Sequence, residues 1–213
     1  MKRPVIFWDV DTQHDFMDPP GKLYVKGAEL IKPKLAQLTE YAHAHGISIV
    51  ASADDHELEH PEISSTPDFK ETFPPHCMRG TPGAEKIAET SLVSPMVIEP
   101  QALPHETLVR RLSTHVGDVL LRKHRFDVFS NPNTASVIEA WDPTEIVLYG
   151  VTLDYCVKYA LDGMIEMGIP TIHLVLDATK PIMPEAVDAL VAGWKQQDVR
   201  IVTTDDVVCG RIV

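Results

Sequence analysis

The stretch EIVLYGVTLDYCVKYALDGMIEMG, from Glu145 to Gly168, decides how the chain folds. Glu145–Tyr149 is an apolar, β-rich run. After a short turn, Val157, Ala160, Leu161, Met164 and Ile165 recur at helical spacing, and Gly168 stands where a helix stops. A strand feeding directly into a helix is half of a βαβ unit. The same alternation continues in both directions. Pro4–Val10, Ile47–Ala53, Val119–Arg122, Thr171–Leu176 and Val199–Thr203 read as further strands. Most are continuously apolar rather than alternating, as strands covered on both faces must be. Helical periods lie between them, at Ile31, Leu35, Leu38 and Ala42 and at Val187, Leu190, Val191 and Trp194. The expected fold is a three-layer α/β/α sandwich with a central, mostly parallel sheet of about six strands. A single domain is expected over residues 1–213, within the usual range of roughly 100–200 residues per domain.

Two segments break the alternation. Asp54–Glu85 is long, polar and proline-rich, and Ser91–His105 carries Ser-Pro, Glu-Pro and Leu-Pro steps that are hostile to helix. The first follows the carboxyl end of a strand, where open α/β sheets place their ligands, so it is a candidate site segment.

Composition narrows the function classes. The 19 lysines and arginines against 31 acids give a net charge of −12, which argues against nucleic acid and anionic membrane surfaces. Three cysteines, at 77, 156 and 209, cannot build a disulfide framework and suggest a reducing compartment. The apolar run near the start is too short for a signal peptide, and no window approaches 18 apolar residues. A cytoplasmic protein is expected.

Four clusters could carry chemistry. Asp9, Asp11 and Asp15 lie where the first strand leaves the sheet. In Asp54-Asp55-His56, the first and third residues point the same way on an extended segment. With His76 arriving from the far end of the loop, they form a carboxylate and two imidazoles suited to zinc, iron or manganese, with Glu62 or His60 as a fourth ligand. Cys156 opens the helix after Tyr149, where a helix N-terminus stabilises a thiolate and its free amides can bind an oxyanion. Arg122-Lys123-His124-Arg125 ends the middle strand and could set a cation beside that thiolate.

Together these residues resemble the isochorismatase-like cysteine hydrolases, and within them the nicotinamidases, over nearly the whole chain. Asp11-Thr-Gln-His-Asp-Phe16 looks like the family's D-x-Q-x-D-F opening, Lys123 matches its lysine after the middle strand, and Gly150-Val-Thr-x-x-x-Cys156 matches its nucleophile turn. Asp54-x-His56, Phe73-Pro-Pro-His76-Cys77 and Gly80-Thr-Pro-Gly-Ala-Glu85 are similar to the metal-binding stretch of nicotinamidases, with Glu62 preferred to His60. Isochorismatases proper lack this metal set. The compact Lys123-His-Arg-Phe-Asp-Val-Phe-Ser-Asn segment departs from the familiar nicotinamidase pattern, so the pocket wall it builds is expected to differ.

The resemblance implies an Asp11–Lys123–Cys156 triad that hydrolyses the C–N bond of a small neutral amide through a Cys156 thioester, in pyridine nucleotide metabolism. It also implies an oxyanion hole from the amides of Thr152 and Cys156, with a cis peptide at Val151–Thr152. One divalent metal, zinc before iron or manganese, is implied on Asp54, His56, His76 and Glu62, with Phe16 and Phe73 flanking the substrate ring. Relatives often assemble, which leaves a homo-oligomer open. The alternatives are a family hydrolase for a ureido, carbamoyl or other heteroaromatic amide, and a catalytically silent binding protein on the same scaffold.

Overall fold

A computed structural model of the chain describes residues 2–212. Its strands are β1 Val5–Val10, β2 Ser48–Asp54, β3 Met96–Ile98, β4 Val119–Lys123, β5 Glu145–Val151, β6 Thr171–Lys180 and β7 Arg200–Val202. Its helices are α1 His14–Met17, α2 Lys32–Ala44, α3 His105–Thr114, α4 Thr134–Trp141, α5 Cys156–Glu166, α6 Val187–Lys195 and α7 Thr204–Val208. The strands form one sheet in the order β3-β4-β2-β1-β5-β6-β7, with every neighbouring pair parallel.

The sheet therefore has seven strands rather than about six, and it is wholly parallel. The added strand is β3, three residues between Pro95 and Pro100 at the sheet edge. The Ser-Pro and Glu-Pro steps do exclude a helix there. They remain compatible with an edge strand, which needs hydrogen-bond partners on one side only.

Alternation of side chains explains the continuous apolar runs. In β5, Ile146 and Leu148 join Leu108 of α3, Trp141 of α4, Leu161 of α5 and Trp194 of α6 on one face. Val147 and Tyr149 meet Leu35 and Leu38 of α2 and Val207 of α7 on the other. With two faces covered, a strand has no solvent side to be polar on. Burial of each such Leu contributes roughly 1.5–3 kcal/mol.

The strand order reverses beside β1, which lies between β2 and β5. A crevice opens at such a switch point, beyond the carboxyl ends of the strands. The close approach of β1 and β5 depends on Gly150. Its φ is +118°, and a Cβ there would lie 2.2 Å from the carbonyl oxygen of Val10.

Candidate active site

Four strand ends converge in that crevice. Just past β1, Asp11 turns with a φ of +50° and accepts a hydrogen bond from Ser52 Oγ at 2.7 Å. Lys123 closes β4 and is paired in register with Asp54 at the end of β2. Its ammonium lies 2.8 Å from Asp11 Oδ2, 2.5 Å from Asp54 Oδ1 and 3.8 Å from Cys156 Sγ. Lys123 and Asp11 are wholly buried behind Cys156, the first residue of α5. Of the basic run at the end of β4, only Lys123 turns fully inward. Arg122 pairs with Glu99 at 2.9 Å. The Val151–Thr152 peptide is cis. Among the described residues, neither the Thr152 nor the Cys156 amide meets an acceptor.

A second group adjoins the first through Asp54. The side chains of Asp54, His56, Glu62 and His76 each present a donor atom, all within 4.8 Å of one another, and all four residues are buried. His76 Nε2 lies 3.7 Å from both Asp54 Oδ2 and Glu62 Oε1, while His56 Nε2 lies 3.7 Å and 3.9 Å from the same atoms. Ligands of a tetrahedral zinc at about 2.0–2.2 Å stand roughly 3.3–3.6 Å apart, close to these separations. His76 Nδ1 is 2.8 Å from the Pro74 carbonyl, which fixes Nδ1 as the donor and leaves Nε2 bare toward the cluster. Both ring nitrogens of His56, Nε2 of His76 and Oε2 of Glu62 are buried without a hydrogen-bond partner. Orphaned buried atoms of this kind fit a divalent cation. His60 stands outside the group. It stacks on His124 at 3.8 Å, and its Nδ1 accepts from the Glu57 amide.

Both groups open on one pocket of about 280 Å³. It is lined by Phe16, Phe73, Phe126, Tyr155, Leu23 and Ile182, with Cys156, Thr152, Asp54, Glu62 and His76 as its polar part. Phe16 packs on His76 at 5.4 Å between ring centroids, and Phe73 packs on Tyr155 at 5.8 Å. Phe126, from the compact segment after Lys123, contributes to the wall against Tyr155.

Charge and burial set the protonation states. Burial alone would lower Lys123, but Asp11 and Asp54 outweigh it and hold the ammonium well above its usual range. Burial raises Asp11 against the pull of Lys123. At Asp54 the burial effect is overcome by Lys123, His56 and His76, and the carboxylate stays well below the usual range. Burial and the charge of Asp54 push Glu62 up to about 7. The Cys156 thiol is driven well above its usual range by burial, opposed by Lys123 and reinforced by Asp11 and Asp54. This reverses the expectation drawn from the helix N-terminus alone. Two carboxylates and a dry site outweigh the helix end, so the resting group is a thiol.

The three acids of the first loop separate by partner. Asp11 faces Lys123. Asp9 accepts from Thr12 Oγ1 at 2.9 Å and Lys86 at 2.6 Å. Asp15 accepts from the amides of Cys77, at 2.7 Å, and Lys22, at 3.0 Å. Ser52, Leu23 and Ile182 also reach the site, unmarked in the sequence. Nothing in their spacing marks them, because they reach the site through the sheet and two distant loops.

An Isochorismatase domain model matches residues 6–206. Among relatives, a nicotinamidase of Saccharomyces cerevisiae is 25% identical over 217 residues, covering 91% of this chain and 96% of its own. A protein of Arabidopsis thaliana described as a probable inactive nicotinamidase is 23% identical over 196 residues, covering 91% and 89%. Among solved structures, pyrazinamidase of Pyrococcus horikoshii in complex with zinc superposes with a TM-score of 0.71 at 24% identity, covering 94% of this chain and 99% of that one. The matched span runs from β1 into α7 and takes in every strand end that feeds the crevice, so the chain belongs to the isochorismatase family, with nicotinamidases among its relatives.

Proposed function

We propose that the protein is a metal-containing cysteine amidohydrolase that converts nicotinamide and water to nicotinate and ammonia. One observation carries the reading. Cys156 and the donor group Asp54, His56, Glu62 and His76 face the same small apolar pocket, and Asp54 touches both the lysine behind the thiol and the histidines. A silent binding protein would need neither a nucleophile backed by a buried lysine nor a base beside it.

In this mechanism Phe16 and Phe73 hold the ring, and the carboxamide carbon rests against Cys156 Sγ. Asp11, whose raised pKa makes it a stronger base than an exposed aspartate, takes the thiol proton as sulfur attacks. Lys123 meets the charge that develops on sulfur. The amides of Thr152 and Cys156 hold the tetrahedral oxyanion, a contribution of typically ~2.7–4 kcal/mol per donor. When the oxyanion collapses, the C–N bond breaks and Asp11 returns its proton to the departing nitrogen as ammonia. Water then attacks the thioester carbonyl, giving its proton to Asp11, and the acid leaves as the thiol is restored. Asp54, His56, Glu62 and His76 would hold the metal, zinc by the chemistry of this donor set. When bound, such an ion supplies a Lewis-acid contact for a ring nitrogen and lowers the pKa of a bound water.

The lining also selects against the family's other substrate types. Among the described residues, no lysine or arginine lines the pocket. The carboxylate of a carbamoyl or ureido acid would find no ammonium or guanidinium to pair with there. Ammonia release from a panel of amides tests this. Nicotinamide should lead, neutral aromatic amides should follow, and N-carbamoyl amino acids should be poor. A carboxylate-bearing substrate at the head of the panel would overturn the assignment.

A further inference from the structure

Gln13 has no place in the chemistry just described, yet its side chain is fully buried against the residue on which both groups of the site depend. β1 pairs with β2 only as far as Val10 with Ser52, then turns away at Asp11. The next rung, at Asp54, would be left without a partner on that side. The Gln13 carboxamide fills it. Its Oε1 accepts from the Asp54 amide at 2.7 Å, and its Nε2 donates to the Asp54 carbonyl at 2.8 Å. The same Nε2 donates to the Ala84 carbonyl at 2.8 Å, so the amide also fastens the 82–86 segment to the end of β2. One planar group that donates and accepts side by side imitates a strand, and no other side chain of this length offers two donors beside an acceptor.

Asp54 is the residue that needs such fixing. It is the shared member of the site, with Oδ1 on Lys123 and Oδ2 toward His56 and His76. A carboxylate with two obligations tolerates little rotation of its backbone. We propose that Gln13 is a positioning residue for the reaction. By clamping both backbone groups of Asp54, it sets the direction of that carboxylate, and with it the metal-binding geometry and the seat of Lys123. The proposal rests on the reading of Asp54 as a metal ligand, and its test reads metal binding rather than amide turnover.

The test compares wild type, Gln13→Met, Asp54→Asn and the double variant, with Thr90→Val as a control. Thr90 hydrogen-bonds Thr12 at 2.7 Å in the same buried region but does not touch Asp54. Zinc dissociation constants come from chelator competition, the visible spectrum of cobalt(II)-loaded protein reports ligand geometry, and thermal unfolding reports fold. Gln13→Met should weaken zinc by about 10–100-fold, the range for loss of an outer-shell partner, and should alter the cobalt spectrum. Thr90→Val should lose thermal stability and leave both metal readouts at wild type. The double variant should bind zinc no more weakly than Asp54→Asn alone, since Gln13 acts through Asp54. If Gln13→Met does not fold, Gln13→Glu, which keeps the acceptor for the Asp54 amide and has at most one proton for the two carbonyls, carries the comparison. Wild-type zinc affinity and cobalt spectrum in a folded Gln13 variant would overturn the proposal, as would additive losses in the double variant. Wild-type protein that binds zinc but hydrolyses no amide would sink the amidase reading and leave this one standing.

Discussion

The protonation state of Cys156 is set by neighbours rather than by its place at a helix start. Burial, Asp11 and Asp54 all favour the thiol, and Lys123 is the group that favours the thiolate. Lys123→Met should therefore move the pH profile of iodoacetamide alkylation at Cys156 to higher pH, because the one stabilising charge is gone. A profile that stays in place would reduce Lys123 to a structural ion pair. His76→Ala should strip zinc from the purified protein, measured by elemental analysis, since it removes a donor whose Nε2 has no other partner. Unchanged metal content would exclude the proposed ligand set. The meeting of these side chains in one crevice is largely legible in the sequence. The register of the D-x-Q-x-D-F motif singled out Asp11, and the strand–turn–helix placement singled out Cys156. The direction of the thiol's pKa was not legible, because it depends on two carboxylates that arrive from β1 and β2 and on burial that no local pattern encodes.

Elements deliver these side chains because β1, β2, β4 and β5 all end on one side of the sheet. A parallel sheet does this by construction, so continuous apolar runs and helical periods sufficed to place the crevice. What they could not reveal is how the 54–85 loop folds back on itself. Two isolated bridges, His56 with Met78 and Ile63 with Phe73, bring His76 and Glu62 to Asp54, and neither leaves a periodic trace. Asp15 helps to hold the loop at Cys77, and Gly83 is fitted against it. A Cβ at Gly83 would lie 2.3–2.4 Å from the Asp15 carboxylate. That carboxylate is fixed by two amide donors and cannot swing aside without losing them. Gly83→Ala should destabilise the fold by about 1–3 kcal/mol, the usual range for overpacking, and should weaken zinc in chelator competition. An unshifted melting temperature with unchanged zinc affinity would show that the Asp15 clamp gives way freely.

At the scale of the whole molecule, the acidic composition acquires a local meaning. Asp11, Asp54 and Glu62, among the 31 acids, are concentrated around one buried lysine and two histidines. Glu62 links this cluster to stability. Its pKa of about 7 lies above the ordinary 4.5, so the metal-free fold holds a proton there that the unfolded chain releases. That contribution is fully present below about pH 4.5 and is lost as pH climbs through 7. Binding a divalent ion requires the proton to leave, so zinc affinity should rise across the same window. At zinc a hundredfold above its dissociation constant, the gain in stability is about 2.7 kcal/mol. Unfolding scans with and without zinc, taken from pH 5 to pH 8, check the sign. A zinc effect that shrinks as pH rises would contradict it. Under the proposed function, Cys156 carries the acyl group of an amide in a pocket it shares with Asp54, Glu62 and His76. Intact-mass spectrometry of the zinc-loaded protein, quenched during turnover of nicotinamide, tests it most directly. The predicted result is a mass increase equal to the acyl part of the substrate, mapped by peptide analysis to Cys156 and absent from Cys156→Ala, which keeps its zinc and releases no ammonia. Undiminished ammonia release by Cys156→Ala, with no adduct in the wild type, would contradict the account.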